Sequence, residues 1–377
     1  MAAQPTKINL YGLDRAGLEQ LFVAQGLQAF RGRQLMKWVY HQGRTDFAAM
    51  TDLPKAMRTW LGEHASFELP AVERFATSKD GTLKWVLNVG DDNLIETVLI
   101  PDRGRNTLCV SSQVGCMLDC TFCSTGKQGF NGNLAAGTIV GQLVLANQAL
   151  APRGEQVTNI VLMGMGEPLL NFDAAVAATN IMKDDLAFGI SKRRVTISTA
   201  GVVPKIYELA ERTDVALAIS LHAPTDALRD SLVPINRKYP IAELMAACQH
   251  YVGHLGERRK LVMEYTLMKG VNDQLEHAKA LAALLEPLRC KINLIPFNPF
   301  PASGFERPKA ADIRRFQTYL MQAGYATMLR TTRGEDIDAA CGQLVGQVKD
   351  RTKRQVRYLA RVKAAGDKSA DSVAARG

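Results

Sequence analysis

The sequence lacks any long apolar segment and any exported-protein leader pattern. Its 377 residues contain no run of about eighteen apolar residues, and the first thirty residues show no basic stretch followed by an apolar one and a small-residue site. A membrane-spanning helix needs about twenty apolar residues in succession, and a secretory signal has that three-part order. We therefore expect no membrane association and no export, and we predict a cytoplasmic protein.

Cysteine is scarce, odd in number and unevenly placed. The seven cysteines are Cys109, Cys116, Cys120, Cys123, Cys248, Cys290 and Cys341. A secreted disulfide framework would favour an even set in a shorter chain. Three cysteines instead crowd into one short segment, which favours a reduced compartment and a metal centre.

Charge is also uneven. The formal net charge is +9, and residues 349–377 contain nine Lys or Arg against three Asp or Glu. Such a basic end suits contact with a polyanion such as RNA, and it equally suits a solvated tail. The hydrophobic fraction of 47% is enough for a sizeable core.

Hydrophobic periodicity divides the chain into four segments. Residues 1–65 predict a small N-terminal helical domain, residues 66–104 antiparallel strands with a linker at 101–106, and residues 346–377 a basic C-terminal helix or tail. In residues 105–345 short apolar strands alternate with helices, which is typical of βα units around a parallel sheet. The predicted strands are Thr107–Ser111, Asn159–Met163, Arg194–Ser198, Val215–Leu221, Leu261–Leu267, Lys291–Ile295 and Thr327–Arg330. The predicted fold is therefore α/β, a partial TIM-type (βα) barrel with an antiparallel β extension.

The cysteine triplet follows the first barrel strand. Cys116, Cys120 and Cys123 form the pattern C-x3-C-x2-C, with Phe122 before the last cysteine. Three thiolates are one short of a closed zinc site or a four-cysteine cluster. A distant Cys or His could complete a zinc knuckle, but a [4Fe-4S] cluster held by three thiolates would keep one iron open for a ligand. This spacing resembles that of the radical S-adenosylmethionine (SAM) superfamily, which implies that the open iron binds SAM.

Polar and small residues follow several predicted barrel strands. Because the functional residues of such folds lie at the C-terminal ends of strands, we interpret these positions as a SAM-binding shell, although each alone suits a turn or a helix cap. The predicted shell comprises Gly166, Glu167, Ser198, Ser220, Leu221, His222 and Asn298.

Several longer segments carry a more specific resemblance. The segments are Thr107–Cys116, Gly164–Leu170, Ser220–Pro224, Asn293–Pro301 and Thr332–Gly342. They resemble the RlmN family of bacterial dual-specificity RNA methyltransferases, which act on carbon 2 of adenosine, and the likeness covers nearly the whole chain. The resemblance implies a ping-pong reaction that consumes two SAM molecules per turnover. Its implied substrates are 23S rRNA near the peptidyl-transferase centre and the adenosine 3′ of the anticodon in tRNA.

The same resemblance implies roles for three further residues. Cys341 is expected to carry an S-methyl group, Cys109 to resolve the intermediate through a transient disulfide with Cys341, and Glu96 to accept a proton. Without the resemblance, Cys109 would be interpreted as core packing and Glu96 as a solvent-side strand residue. An electron donor such as flavodoxin or ferredoxin and a monomeric state are also expected.

Two other functions remain open on the sequence alone. A carbon-8 adenosine methyltransferase of the antibiotic-resistance type would share the five key cysteines, although residues 127–131 look like the carbon-2 type. A non-catalytic RNA-binding protein stabilised by zinc would explain the triplet but not Cys109 or Cys341. For RNA docking we expect the N-terminal domain to contribute basic and aromatic side chains, namely Arg31, Arg33, Lys37, Trp38, Tyr40, Lys55 and Arg58.

Overall fold

The computed structural model describes residues 7–301, 303–344, 346, 348 and 350–360. The predicted tail beyond residue 360 lies outside this part of the chain.

The N-terminal region is helical and is closed by a pair of short strands. Its helices are α1 (Arg15–Ala24), α2 (Phe30–Met36) and α3 (Lys55–His64), and a π-helical turn (Lys37–His41) continues α2. Asp14 caps α1 by accepting a hydrogen bond from the backbone N–H of Gly17 at 3.0 Å. Strand β1 (Ile8–Asn9) pairs in parallel with β2 (Ala65–Ser66). The buried apolar residues of this region belong to the same core as those of the barrel.

One mixed sheet of ten strands organises the described residues. Its order is β14-β13-β12-β11-β10-β9-β6-β5-β4-β3. The parallel part consists of β6 (Arg105–Cys109), β9 (Asn159–Leu162), β10 (Val195–Thr199), β11 (Ala216–Ser220), β12 (Leu261–Leu267), β13 (Cys290–Pro296) and β14 (Thr327–Leu329). No pairing in this part of the structure joins β14 to β3, so the barrel is partial, as predicted.

Helices cover the outside of the parallel strands. They are α4 (Ser124–Lys127), α5 (Ala136–Leu150), α6 (Phe172–Lys183), α7 (Val203–Arg212), α8 (Asp226–Leu232), α9 (Ile241–His254), α10 (Leu275–Leu285) and α11 (Ala310–Gln322). In α7 the buried residues Val203, Ile206 and Leu209 recur at helical spacing. All seven residues of β12 are buried, as expected for a parallel strand covered on both faces. Within the described residues, no helix is long and apolar enough to cross a membrane.

The antiparallel extension continues the barrel sheet. Strands β3 (Ala71–Thr77), β4 (Leu83–Asn88) and β5 (Leu94–Asp102) pair in sequence, and β5 pairs antiparallel with β6. The predicted linker at 101–106 is therefore wrong. Pro101 and Asp102 pair with Asn106 and Arg105, and Arg103 and Gly104 turn the chain with positive φ. Pro101 fits because a strand end tolerates a residue without an N–H.

The strands that flank the cysteine loop are among the elements that the sequence did not predict. Strands β7 (Gln113–Gly115) and β8 (Phe130–Asn133) form a small antiparallel pair on either side of the cysteine loop. Both are too short for a periodic signal. At the C-terminal end of the described chain, residues 354–360 are helical, in line with the predicted helix or tail.

Candidate active site

The cysteine triplet lies in a loop between β7 and α4 that neighbouring segments hold in place. The backbone N–H of Cys116 donates to the carbonyl of Gly129 at 2.8 Å, and that of Thr121 donates to the carbonyl of Leu232 at 3.0 Å. Gly115 has φ +73°, and a Cβ there would lie 2.1 Å from the Gly129 carbonyl oxygen. Glycine is therefore required for the loop to leave β7 in this direction.

The three thiols lie close enough to influence one another's charge. Burial raises the pKa of Cys116 well above its usual range, and the charges of Cys120 and Cys123 raise it further. Burial, followed by the charge of Cys123, raises the pKa of Cys120 to about 12. Poorly solvated thiols this close together deprotonate readily only when a metal centre compensates their charge. The donor set therefore fits an iron–sulfur cluster held by Cys116, Cys120 and Cys123.

The arrangement differs from a site for one ion. No group of three or more His, Cys, Asp or Glu side chains in the described part of the chain is placed to hold a single metal ion. A cubane cluster is wider than one ion, so its cysteine ligands stand further apart than zinc ligands do.

The predicted SAM-shell residues lie at one rim of the sheet. Ser198 is the penultimate residue of β10 and Ser220 ends β11, whereas Glu167 and Asn298 lie just after β9 and β13. Strands β9, β10 and β11 are consecutive neighbours in the sheet, and only β12 separates β11 from β13. The parallel topology therefore gathers the predicted residues beside the cysteine loop.

The glycines at this rim are explained by contacts within the protein. A Cβ at Gly166, where φ is +105°, would lie 2.5 Å from the Cβ of Gln113. A Cβ at Gly164 would lie 2.7 Å from the Ser111 hydroxyl oxygen. The chain that enters the cysteine loop occupies the space beside these glycines, so these contacts neither require nor oppose a SAM role for Gly166.

Glu167 is buried and joins two strand ends. Its carboxylate accepts hydrogen bonds from the backbone N–H groups of Ala200 at 2.8 Å and Leu169 at 3.1 Å. Burial raises its pKa to about 7 despite these bonds. The side chain thus has partners within the protein and fixes the rim after β9 to the rim after β10.

His222 packs against the cysteine loop. Its ring packs edge-on against Phe122, with ring centroids 4.6 Å apart, and its Nδ1 accepts a hydrogen bond from the Thr266 N–H at 3.0 Å. Burial, aided by the nearby Arg229 charge, lowers its pKa to about 3, so the ring is neutral. The adjacent Leu221 is fully buried.

The loop that contains Cys341 reaches the cysteine triplet from the other end of the chain. It follows β14 and a 3-10 turn at Glu335–Ile337. The backbone N–H of Ser124, next to Cys123, donates to the Gly342 carbonyl at 2.9 Å. The Asn298 amide donates to the Cys341 carbonyl at 3.2 Å and accepts from the Thr332 hydroxyl at 3.1 Å. Asn298 therefore positions the Cys341 loop, in addition to its predicted SAM role.

Cys109 and Cys341 are free thiols, and they lie close enough for the Cys341 charge to act on Cys109. Burial raises the pKa of Cys109 to about 12, with a further contribution from the Cys341 charge, whereas Arg330 opposes the shift. Cys341 retains accessible surface, yet protein surrounds its thiol closely enough that desolvation raises its pKa too. Two thiols of distant sequence position thus share a site beside the triplet.

Glu96 is buried, which contradicts the interpretation of a solvent-side residue. It lies on β5 with 3% exposure, and its Oε1 is 2.9 Å from the Nζ of Lys84 on β4. Both residues line a cleft of about 720 Å³ that Ile337, Asp338 and Gln343 of the Cys341 loop also border. The Glu96 carboxylate and the Cys341 loop therefore face the same cleft.

Sequence analysis missed Arg229, which is fully buried. Its guanidinium donates to the carbonyls of Leu221, Ala200 and Ser220 and to the Asn236 side chain, at 2.6–3.2 Å. Burial lowers its pKa to about 10. The residue joins two rim loops, and its position in an ordinary helical pattern gave no signal.

A second missed group lies inside the barrel. Glu264 on β12 accepts from the Asn293 amide on β13 at 2.8 Å, and burial raises its pKa, opposed by the charge of Arg330. A charged residue within the otherwise apolar β12 was the available signal.

The start of the C-terminal helix contacts the cysteine loop. Arg354 donates to the carbonyls of Cys116 at 3.0 Å, Met117 at 2.9 Å and Gly126 at 3.2 Å. The Tyr358 hydroxyl donates to the Pro301 carbonyl at 2.6 Å. At least part of the basic segment is thus engaged with the protein itself.

The N-terminal residues proposed to dock RNA have mixed positions. The ring of Tyr40 packs against Phe188, with centroids 5.0 Å apart, so it does not face solvent as a stacking platform. Arg31 donates to the Asp52 carbonyl at 2.6 Å, and Trp38 donates to the Asp52 carboxylate. Lys37, Arg33 and Lys55 are exposed, so these three retain the surface that phosphate contact requires.

Comparison with known proteins gives two family matches. Residues 8–67 match the ribosomal RNA large subunit methyltransferase N-terminal domain, and residues 110–282 match the radical SAM superfamily.

Relatives match over nearly the whole chain. A dual-specificity RNA methyltransferase RlmN from Marinobacter nauticus is 57% identical over 363 residues, which cover 96% of this chain and 98% of the relative. The protein of the same name from Pseudomonas fluorescens is 56% identical over 364 residues, covering 96% and 95%. A crystal structure of a radical SAM methyltransferase from Sphaerobacter thermophilus superposes with a TM-score of 0.82 at 45% identity, covering 89% of this chain and 99% of that one.

Proposed function

The chain belongs to the RlmN family of radical SAM RNA methyltransferases, and we propose that it methylates carbon 2 of adenosine in RNA through Cys341. The observation that carries this proposal is that two free thiols outside the triplet lie close enough for the charge of Cys341 to act on Cys109, while Gly342, next to Cys341, is bonded to Ser124 beside the triplet. A structural cluster alone would not need them.

The cofactors are a [4Fe-4S] cluster and SAM. Cys116, Cys120 and Cys123 would hold the cluster, and the rim formed by Gly166, Glu167, Ser198, Ser220, Leu221, His222 and Asn298 would border SAM. When bound, the two supply an electron and a 5′-deoxyadenosyl radical. We assign two SAM molecules to each turnover, one as methyl donor and one as radical source.

Cys341 carries the transferred carbon. Its thiolate attacks the methyl group of the first SAM, so that an S–CH3 bond forms, the sulfonium–CH3 bond breaks and S-adenosylhomocysteine leaves with the electron pair. Loss of one hydrogen atom from that methyl group to the 5′-deoxyadenosyl radical lets the carbon bond to adenine carbon 2. Such a route suits an electron-poor ring carbon that cannot act as a nucleophile toward a sulfonium.

Glu96 and Cys109 then release the base. Glu96 accepts the proton of carbon 2, and the one electron that must also leave the ring would pass to the cluster that the triplet would hold. The Cys109 thiolate attacks the Cys341 sulfur, so that an S–S bond forms, the S–CH2 bond breaks and the carbon takes a proton to become a methyl group. A thiol reductant must then restore both cysteines.

The substrates follow from the same assignment. We propose 23S rRNA near the peptidyl-transferase centre and the adenosine 3′ of the anticodon in tRNA. The adenine must leave its stack to reach a thiol inside the cleft. Exposed basic residues of the N-terminal region, such as Lys37 and Lys55, support phosphate contact there. The proposal includes a monomeric cytoplasmic enzyme served by flavodoxin or ferredoxin.

The test is direct. The protein is reconstituted anaerobically with iron, sulfide, SAM and a reductant, incubated with unmodified rRNA and tRNA, and the RNA is digested for mass spectrometry. We expect 2-methyladenosine, and none in a reaction without SAM. A methyl group on carbon 8 would assign the reaction to the antibiotic-resistance type instead. An active SAM-cleaving preparation that modifies no adenosine would overturn the proposal.

A further inference from the structure

The turn between β3 and β4 holds the loop that leads to Cys341. The Asp80 carboxylate accepts a hydrogen bond from the Gly334 N–H at 3.1 Å. The Asp336 carboxylate accepts from the Ser78 hydroxyl and from the Lys79 N–H, the latter at 3.1 Å. The antiparallel extension is therefore a platform for this loop and not only an edge of the sheet.

Lys84 extends these contacts into the cleft. Its ammonium lies 2.9 Å from the Glu96 carboxylate and donates to the carbonyls of Ile337 at 3.0 Å and Asp338 at 3.1 Å. An ammonium has three hydrogens to donate, and these three contacts account for all of them. One side chain therefore joins the carboxylate of β5 to the backbone that precedes Cys341.

The contact between Lys84 and Glu96 is shielded from solvent, and the loop it holds has an unusual backbone conformation. The side chains of Lys84 and Glu96 are 11% and 4% exposed, so water screens their attraction poorly. Asp338 has φ +51°, a left-handed conformation that is uncommon outside glycine but that aspartate adopts more readily than most residues. Lys84 holds the Asp338 carbonyl in this turn, and the chain continues from there to Cys341.

We propose that Lys84 is a positioning residue that couples the Cys341 loop to Glu96, so that the base and the sulfur-bound carbon meet the same adenine. This inference rests on the proposed function, because Glu96 acts there as proton acceptor. Lys84 holds the proton acceptor and the loop in place and itself forms and breaks no bond. Its effect is on the step that needs both groups together, namely release of the methylated base.

The expected consequence is a split between two steps. Methylation of Cys341 needs the thiol and SAM but not Glu96, whereas release needs proton removal. In Lys84→Met, S-methylation of Cys341 should stay within about twofold of wild type. Release of 2-methyladenosine should fall by about tenfold, less than the roughly hundredfold low end of general-base effects because Glu96 itself remains, and the covalent protein–RNA adduct should accumulate.

Two variants control the experiment. Lys84→Arg keeps the charge and donors and should recover most of the release rate. Lys79→Met changes a lysine in the turn that precedes β4. Lys79 contacts Asp336 through its backbone N–H, which the substitution keeps, and the variant should behave as wild type. Rates are measured in single-turnover reactions, with the adduct resolved by denaturing electrophoresis.

A second measurement needs no cofactor or RNA. Hydrogen exchange of residues 335–341 in the full chain should be faster in Lys84→Met than in wild type or Lys79→Met. Unchanged exchange together with wild-type release would overturn the proposal. Equal loss of S-methylation and release would also overturn it, because that result indicates a purely structural role. If wild type forms no 2-methyladenosine, the proposed function fails, whereas the exchange result still decides whether Lys84 anchors the loop.

Discussion

The cysteine triplet and the pair of Cys109 and Cys341 are two thiol sites built in opposite ways. The triplet lies within eight residues of one loop, and neighbouring segments only hold that loop in shape. The pair joins the end of β6 to a loop near the C-terminal end of the described chain. The Ser124–Gly342 hydrogen bond holds that loop against the residue that follows the triplet. A local spacing suffices to bind a cofactor, whereas a transfer step requires the assembled fold.

The environments of the two sites differ as well. The triplet thiols are poorly solvated and raise one another's pKa. A cationic cluster core would therefore stabilise their deprotonated form. Burial raises the pKa of Cys109 and Cys341 as well, and Arg330 opposes that shift just as Arg229 and Lys127 do at Cys120. The sites differ in access, because Cys341 retains accessible surface whereas Cys116 is buried. The first site is suited to constant occupancy and the second to a thiol that a substrate must reach, and five predictions test that division.

The largest effect is expected for Cys341→Ala. The variant has no sulfur to carry the methyl group, so 2-methyladenosine should fall to background because the covalent route is lost entirely. The iron–sulfur absorbance should remain at the wild-type level. Loss of that absorbance would move Cys341 into the metal site and contradict the division.

Cys109→Ala should stop the reaction later. The carbon still reaches adenine, but no thiolate attacks the Cys341 sulfur, so a protein–RNA adduct should accumulate at up to one per protein. Multiple-turnover product should drop by about a thousandfold. Denaturing electrophoresis with labelled RNA detects the adduct, and its absence in a variant that still methylates Cys341 would contradict the resolving role.

The thiol of Cys109 should alkylate slowly in the metal-free protein. With its pKa raised to about 12, the thiolate fraction at pH 8 is about a thousandfold below that of a thiol of pKa 9. A more basic thiolate is intrinsically more nucleophilic, which reduces the deficit to roughly fiftyfold. Because deprotonation increases with pH, the iodoacetamide rate should rise about tenfold per unit from pH 8 to 10. A plateau below pH 9 would show that the site is better solvated.

Cys120→Ser tests the triplet with a matched core cysteine as control. Removing one of three thiolates should reduce bound iron several-fold after anaerobic reconstitution. Cys248→Ala changes a fully buried cysteine of α9, and it should retain wild-type iron while losing some stability. Iron and sulfide analysis separates the two, and equal iron in both variants would argue against the triplet as ligands.

Arg354→Gln should have the smallest effect. Its guanidinium holds three carbonyls of the cysteine loop, and glutamine can replace only part of that set. We expect the cluster to be lost to a chelator about two- to fivefold faster, since each lost charge-assisted bond contributes a modest amount. Lys353→Gln, one position earlier, is the control. Equal rates in both would show that the C-terminal helix does not stabilise the loop.

Much of the fold follows from local pattern. The strand Leu261–Leu267 was predicted with its observed limits, and the other barrel strands within one or two residues, because each is a short apolar run bounded by turn residues. The error at 101–106 arose because Pro101 and Gly104 indicate a break, whereas tertiary pairing with β6 extends the strand through it. Elements as short as β7 and β8 have too few residues for any period.

The residues of the candidate site also fall into two groups, those that local sequence pattern indicates and those that only the folded structure reveals. Cys116, Cys120 and Cys123 could be found from spacing, and the rim residues from their places after strands. The ion pair of Lys84 with Glu96, the network of Arg229 and the contacts of Arg354 could not, because each joins segments that only the folded sheet brings together. Residue type alone does not distinguish these buried charges from surface ones.

The central claim is that Cys341 carries the carbon that reaches adenine. Protein reconstituted with SAM labelled with carbon-13 in the methyl group, without RNA, should contain a labelled S-methyl on the Cys341 peptide. After removal of that SAM, a single turnover with RNA and unlabelled SAM should place carbon-13 in 2-methyladenosine. Unlabelled 2-methyladenosine, with the label still on Cys341, would contradict the account.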